Sequence, residues 1–134
     1  MGQEVEISVN VKMLFRCGRK FLYIRLPDGY NLPGGHLDQG ETVDEALRRE
    51  LKEEMDYDLQ VAPKLVGVWS DHRKTGEARI LIGYTIELPT EQPFTYIPDP
   101  VETTGELVWV DLDELPVIKM NPRYDEFVRQ SFRP

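Results

Sequence analysis

Six residues at fixed spacing between positions 35 and 54 constrain this chain more than any other feature. They are Gly35, Glu41, Arg49, Glu50, Glu53 and Glu54. Five residues separate the glycine from the first glutamate, and seven separate that glutamate from the arginine. Average residue frequencies give this arrangement a chance on the order of a few in a million. The spacing therefore indicates a built site, in which three glutamates lie within five residues of one another.

The residues just before these glutamates predict a helix that begins near Val43. Thr42 and Glu45 have the spacing of a capping box, in which each side chain accepts a hydrogen bond from the other residue's amide. Gly40 precedes them and lets the backbone turn sharply into the helix.

The helix is predicted to have an inward stripe that changes from apolar to acidic. At about 100° per residue, five apolar side chains fall on one side. They are Val43, Ala46, Leu47, Leu51 and Met55. Glu50, Glu53 and Glu54 fall on that same side, whereas an ordinary amphipathic helix places glutamates opposite. The far face holds Glu45, Arg48 and Lys52.

Carboxylates this close together repel one another unless a cation neutralises them. Mg²⁺ is suited to the position because it binds through few carboxylates and keeps places for water and phosphate. Mn²⁺ could substitute for it. The ordinary alternative for an acidic run is a solvated helix end. The fixed spacing with the glycine-rich turn favours the metal site.

This spacing resembles the Nudix box, the signature of hydrolases that split a pyrophosphate linked to another group. The resemblance is specific over residues 35–57 and looser over the strand pattern of nearly the whole chain. It implies an α/β/α sandwich with a mixed sheet between helices, formed by one domain over residues 1–134. It also implies Mg²⁺-dependent hydrolysis of a phosphoric anhydride bond, with a nucleoside triphosphate as the first substrate to test.

The resemblance implies roles for individual residues. It makes Glu50, Glu53, Glu54 and the carbonyl of Gly34 metal ligands. It pairs Glu41 with Arg49, which would hold the loop to the helix and orient the carboxylates; the alternative is an ordinary surface ion pair.

One position departs from the family pattern. The family usually has glycine where this chain has Asp56, at a left-handed helix end. Aspartate tolerates that conformation better than most residues do. The departure therefore bears on the geometry of the helix end and not on the metal ligands.

The general base is left open between several glutamates. Glu54 is the first candidate, and sequence does not separate a ligand from a base, so Glu53 also qualifies. Glu106 lies outside the box, in a segment that resembles the place where related hydrolases hold an extra metal-binding or base glutamate. Glu102 competes for that role, and the alternative for Glu106 is a solvated loop residue.

Candidates for substrate binding are fewer and less specific. The Pro33-Gly34-Gly35 turn allows the backbone to approach phosphates closely. Tyr30 could stack on a base, as could Trp69 and Phe94. Arg25 and Arg73 could contact phosphates. The alternatives are a core position for each aromatic residue and solvated surface for each arginine.

Alternating and periodic apolar residues predict the remaining elements. Strands are predicted over residues 5–15, 21–26, 65–70, 78–88 and 107–110, a helical turn over 111–115 and a helix over 122–132. In the first of these strands, apolar residues alternate with mostly polar ones, which predicts one buried face. Residues 89–105 contain four prolines and predict a long loop, either a mobile insertion or a wall for the substrate.

Composition limits the partners and the setting. The formal net charge of −8 argues against long DNA or RNA, and leaves a small-molecule nucleotide as the expected partner. No apolar run approaches the length of a membrane span, so no membrane partner is expected. The single cysteine, Cys17, suits a reducing cytoplasm. A homodimer is compatible with the sequence. The main alternative function is a non-catalytic nucleotide sensor on the same fold.

Overall fold

The computed structural model of the chain describes residues 6–99 and 104–134. The strands are β1 (Ile7–Cys17), β2 (Lys20–Leu26), β3 (Gly29–Asn31), β4 (Gly34–His36), β5 (Lys64–His72), β6 (Ala78–Glu87) and β7 (Glu106–Asp111). The helices are α1 (Val43–Met55), α2 (Leu115–Ile118) and α3 (Pro122–Ser131), with a 3₁₀ turn over Leu112–Glu114. The predicted strand start at Val5 and the candidate Glu102 lie outside the described residues.

The seven strands form one mixed sheet with β1 at its centre. β6 runs parallel to β1 along its whole length, from Ile7 opposite Ala78 to Arg16 opposite Glu87. The other edge of β1 carries two antiparallel partners, β4 and β2. β3 and β7 pair with β2, and β5 pairs with β6. This arrangement leaves β4 as a short strip that joins the glycine turn to the middle of β1.

Helices cover both faces of the sheet, which confirms the predicted α/β/α sandwich. On one face, Val11, Met13 and Phe15 pack with the buried residues of α1. On the other face, Leu14 packs with Phe127 of α3 and with residues of α2. The prediction of a single buried face for β1 is therefore wrong. A central strand between two helical layers buries both of its faces.

The start and end of α1 follow the predicted local chemistry. Thr42 caps the helix, and the reciprocal bonds of the capping box with Glu45 are both present. Asp56 ends it in the left-handed conformation, with φ of 52°. β3 and β4 were not predicted, because three-residue strands that contain glycine carry no periodic signal. No helix in the described ranges has the length and apolar character needed to cross a membrane.

Candidate functional site

Three of the four glutamates of α1, Glu50, Glu53 and Glu54, lie at a pocket of about 630 Å³, called here the glutamate pocket. It lies among β1, the glycine turn, α1 and the long loop. Its lining residues are Asn10, Lys12, Asn31, Gly34, Gly35, His36, Glu50, Glu53, Glu54 and residues 96–99. The structure therefore brings together the three predicted glutamates and both glycines of the turn.

Two glycines allow the turn to approach its neighbours more closely than any other residue could. A Cβ added to Gly34 would lie 2.1 Å from the Val11 carbonyl oxygen, and its φ of 130° is strained for any L side chain. A Cβ added to Gly35 would lie 2.4 Å from the carboxylate of Glu50. The Gly34 amide donates to Oε1 of Glu54 at 2.9 Å, which joins the turn to the helix.

Arg49 fastens the loop after the turn to α1. Its Nε and Nη2 donate to the two carboxylate oxygens of Glu41 at 2.6 and 2.9 Å. Nη2 also donates to the His36 carbonyl at 3.0 Å. These guanidinium bonds, with one from the Asp38 amide, lower the pKa of Glu41. The predicted contact is thus a two-pronged, half-buried ion pair rather than a loose surface one.

The third nitrogen of Arg49 lies between two of the predicted metal ligands. Nη1 donates to Glu50 at 2.9 Å and to Glu53 at 3.2 Å. In the described ranges, no three carboxylate, histidine or cysteine side chains stand in an arrangement that could hold a metal ion. Arg49, whose single positive charge is shared with Glu41, offsets part of the negative charge of Glu50 and Glu53.

The donor set nevertheless suits a hard divalent cation. The side-chain atoms of α1 that could coordinate a metal ion in the pocket are all carboxylate oxygens. Mg²⁺ and Mn²⁺ prefer ligands of this type. The missing side chain of Gly35 leaves room directly at Glu50. The residues fit such an ion once Nη1 of Arg49 moves away from Glu50 and Glu53.

One residue of this pocket, the buried Lys12, was not predicted from the sequence to lie there. Lys12 is 3% exposed, and its Nζ donates to the carbonyls of Leu32 at 3.0 Å and Gly34 at 3.3 Å. It forms no ion pair with a carboxylate in the part of the chain that the structure describes. The available signal was a charged residue inside the run Val-Lys-Met-Leu-Phe, where burial on both faces makes a charge costly.

The described part of the long loop is docked against the body of the domain. The Ile97 amide donates to the Glu54 carbonyl at 2.7 Å, and Nε1 of Trp109 donates to the Gln92 carbonyl at 2.9 Å. The ring of Phe94 lies 5.8 Å from that of Phe15. Residues 96–99 consequently form a wall of the glutamate pocket. Of the two alternatives for the loop, these contacts favour the wall.

The docked loop also adds a carboxylate to the pocket that sequence analysis did not select. Asp99 lies in the lining, whereas Glu106 lines a separate opening of about 380 Å³. Glu106 is exposed there and pairs with Arg25 at 2.9 Å. Within the described residues, the structure therefore does not place Glu106 or Arg25 in the glutamate pocket.

Tyr30 and Arg73 have other contacts as well. The Tyr30 hydroxyl donates to the Lys119 carbonyl at 3.2 Å and accepts from the Asn121 amide, which ties β3 to the start of α3. Burial raises the pKa of Tyr30. Arg73 pairs with Glu77 at 3.2 Å in the turn between β5 and β6. Neither side chain is among the described residues that line the glutamate pocket.

Comparison with known proteins agrees with this architecture. The NUDIX domain profile matches residues 6–131. A Bacillus subtilis (strain 168) protein named as a putative 8-oxo-dGTP diphosphatase is 32% identical over 94 residues. That match includes 70% of this chain, and it spans only 58% of the relative's length.

Two solved structures have the same fold. The crystal structure of a MutT NUDIX hydrolase from Burkholderia pseudomallei superposes with a TM-score of 0.70 and 25% identity, over 93% of this chain and 98% of that one. The MutT protein from Methanosarcina mazei Go1 superposes with a TM-score of 0.70 and 21% identity, over 98% and 100%. Both likenesses extend far beyond the box.

Proposed function

Since this chain belongs to the NUDIX domain family, we propose that it hydrolyses a phosphoric anhydride bond in a nucleoside diphosphate derivative. The carrying observation is that Glu50, Glu53 and Glu54 meet the Gly34-Gly35 turn in one pocket. Nucleoside triphosphates, damaged ones included, are the first substrate class to test. The name of the Bacillus subtilis relative supports that choice.

A divalent cation, Mg²⁺ or Mn²⁺, belongs to this proposal. Glu50, Glu53, Glu54 and the Gly34 carbonyl would hold it. When bound, such an ion supplies Lewis-acid stabilisation of charge on the phosphates. Arg49 would then keep its two bonds to Glu41 and its bond to the His36 carbonyl, and release the two pocket carboxylates.

Glu54 is proposed as the group that accepts a proton from the attacking water. The Gly34 amide fixes one of its carboxylate oxygens, so the carboxylate is held in a defined orientation at the pocket. Glu53 is the second candidate and is more exposed. Glu106 ranks behind both because it lines a different opening, with Arg25.

One observation favours a second candidate function, a module that binds nucleotides without turnover. Nη1 of Arg49 donates to Glu50 and Glu53 and offsets part of their negative charge, so both carboxylates have a partner without a metal ion. Such a module would bind nucleotides and leave them intact. The two functions therefore differ in product release, which is directly measurable.

The decisive experiment incubates the purified chain with a panel of nucleoside diphosphate derivatives, 8-oxo-dGTP among them, and measures phosphate or pyrophosphate release. We expect release with Mg²⁺ and none with excess chelator. Glu54→Gln should lower turnover by about 10²-fold or more, the scale for losing a general base. Glu45→Gln, on the far face of α1, is the matched control and should change little. Full turnover in excess chelator would overturn the metal assignment.

A further inference from the structure

Lys12 carries a full charge in a place where burial is expensive. It lies on the central strand and is 3% exposed. Moving an ammonium out of water has a penalty of several kcal/mol unless partners compensate for it. Its neighbours on the strand, Val11 and Met13, are buried in an apolar cluster on the opposite face. A buried charge of this kind points to a role in binding.

The protein meets only part of the hydrogen-bonding capacity of this ammonium. A lysine ammonium has three N–H donors. Two of them reach the carbonyls of Leu32 and Gly34. Among the described residues, Lys12 forms these two hydrogen bonds and no ion pair with a carboxylate. The charge is therefore held by two neutral carbonyls at the edge of a pocket.

The rest of the pocket has the wrong sign for an anionic ligand. Glu50, Glu53, Glu54 and Asp99 all line it. Within the described lining, Lys12 is the one lysine or arginine, and His36 is the only other basic group. An anion that enters would meet one fixed cation, already held in place by the backbone of the glycine turn.

We propose that Lys12 is an anion-binding residue of the glutamate pocket, and that its third N–H donates to a phosphate oxygen of the ligand. The identity of that ligand as a pyrophosphate-containing compound rests on the proposed function. By holding the Leu32 carbonyl at the same time, Lys12 fixes the distance between the bound phosphate and the turn, and the more distant Gly34 carbonyl is left to the divalent cation. Lys12 is thus a substrate-binding residue.

Titration calorimetry with inorganic pyrophosphate and Mg²⁺ tests this. A charge-assisted hydrogen bond lost in Lys12→Met should weaken binding by about 10- to 100-fold. Lys12→Arg keeps the charge and should retain most of the affinity. Lys64→Met, which removes an exposed lysine at the start of β5, is the matched control and should bind as the wild type does.

A second measurement uses the wild-type chain, so it does not depend on whether Lys12→Met folds. In the wild-type chain, the NMR signal of the Lys12 ammonium, identified by its absence from Lys12→Arg, should shift when pyrophosphate is added. An unchanged signal, or undiminished pyrophosphate binding by folded Lys12→Met, would overturn the proposal. A structural role alone predicts a lower melting temperature with unchanged affinity.

Kinetics separate this inference from the proposed function. Loss of a contact made equally in the ground and transition states raises KM and leaves kcat nearly unchanged. Lys12→Met should show that pattern on any substrate that the panel identifies. If no substrate turns over and pyrophosphate binding still depends on Lys12, the inference stands and the hydrolase assignment fails. If turnover is normal and KM is unchanged in Lys12→Met, the inference fails alone.

Discussion

The box and the long loop both form walls of the glutamate pocket, and they are held in place by different kinds of contact. In the box, the capping pair of Thr42 and Glu45 and the pair of Glu41 and Arg49 join residues that are close in sequence. The long loop is held by contacts to distant elements, through the Ile97 amide and the Trp109 indole. The box is thus built from local chemistry, and the loop is built from the finished fold.

This difference indicates that the two walls have separate functions. The box holds the carboxylates and the glycine turn in a geometry that does not depend on which group the phosphates of the ligand carry. The loop adds residues 96–99 to the pocket lining and contacts α1 through the bond from the Ile97 amide to the Glu54 carbonyl. Changes in the box should therefore affect the fold or all turnover, whereas changes in the loop should affect which ligand is preferred.

The largest effect is expected at Gly34, where the glycine turn lies closest to β1. Gly34→Ala would push a methyl group onto the Val11 carbonyl and force a strained φ, so we expect a loss of about 3 kcal/mol or more in unfolding free energy. Chemical denaturation measures it. Gly29→Ala adds the same methyl group in open space and is the control. Equal stability of the two variants would contradict the tight approach described here.

A smaller effect is expected at Phe94, which anchors the loop. Phe94→Ala removes ring contacts with Phe15 and Tyr57. Because Phe94 is only partly buried, we expect about 1–2 kcal/mol of lost stability, below the range for core phenylalanines. The ratio of kcat/KM between two nucleotide substrates should change. Mg²⁺ that binds the folded site should raise the melting temperature, and we expect this rise to be the same in Phe94→Ala as in the wild type.

The control for the loop is Val117→Ala, since Val117 lies on α2, is 78% exposed and is not among the described residues that line the glutamate pocket. It should leave both stability and substrate ratio unchanged. An equal fall in kcat/KM for every substrate in Phe94→Ala would show that the loop supports the chemistry itself. The box and the loop would then not have separate functions.

The smallest effect concerns acid stability. The folded pKa of Glu41 lies below its ordinary value because of Arg49 and the Asp38 amide. Its stabilisation is therefore complete above the unfolded pKa, about 4.3 for glutamate, and is lost as the pH falls through the folded pKa. Melting curves of the wild type and Glu41→Gln should differ most near neutral pH and converge in acid. A constant gap at all pH values would mean that the pair's charge contributes nothing.

Much of the fold followed from local patterns. The strands with apolar alternation and helix α1 with its capping box were predicted close to their observed bounds. Asp56 takes the left-handed conformation that a glycine usually takes there. Helix and strand propensity and apolar periodicity depend on residues close together in the chain, so they can be recognised in a single sequence. β3 and β4 were missed because their pairing, and not their own residues, makes them strands.

The site was only partly predictable for the same reason. The glutamates and glycines share a short stretch of chain, so their meeting could be expected from spacing. Lys12 and Asp99 enter the pocket only through the sheet and the docked loop. Glu106 was selected by its position after the loop, yet β7 pairs with β2 and directs it to Arg25. Long-range pairing decides such positions, and spacing along the chain does not show it.

The parallel pairing of β1 with β6 has a consequence for how the chain is made. Partners in this ladder lie 71 residues apart, as the bond from Thr85 to the Leu14 carbonyl shows. During synthesis, β1 and the whole box emerge before β6 exists. The central strand then has an open, apolar edge, a template for pairing with other chains. We expect the nascent chain to be most prone to aggregation, and most in need of chaperones, until residue 87 has left the ribosome.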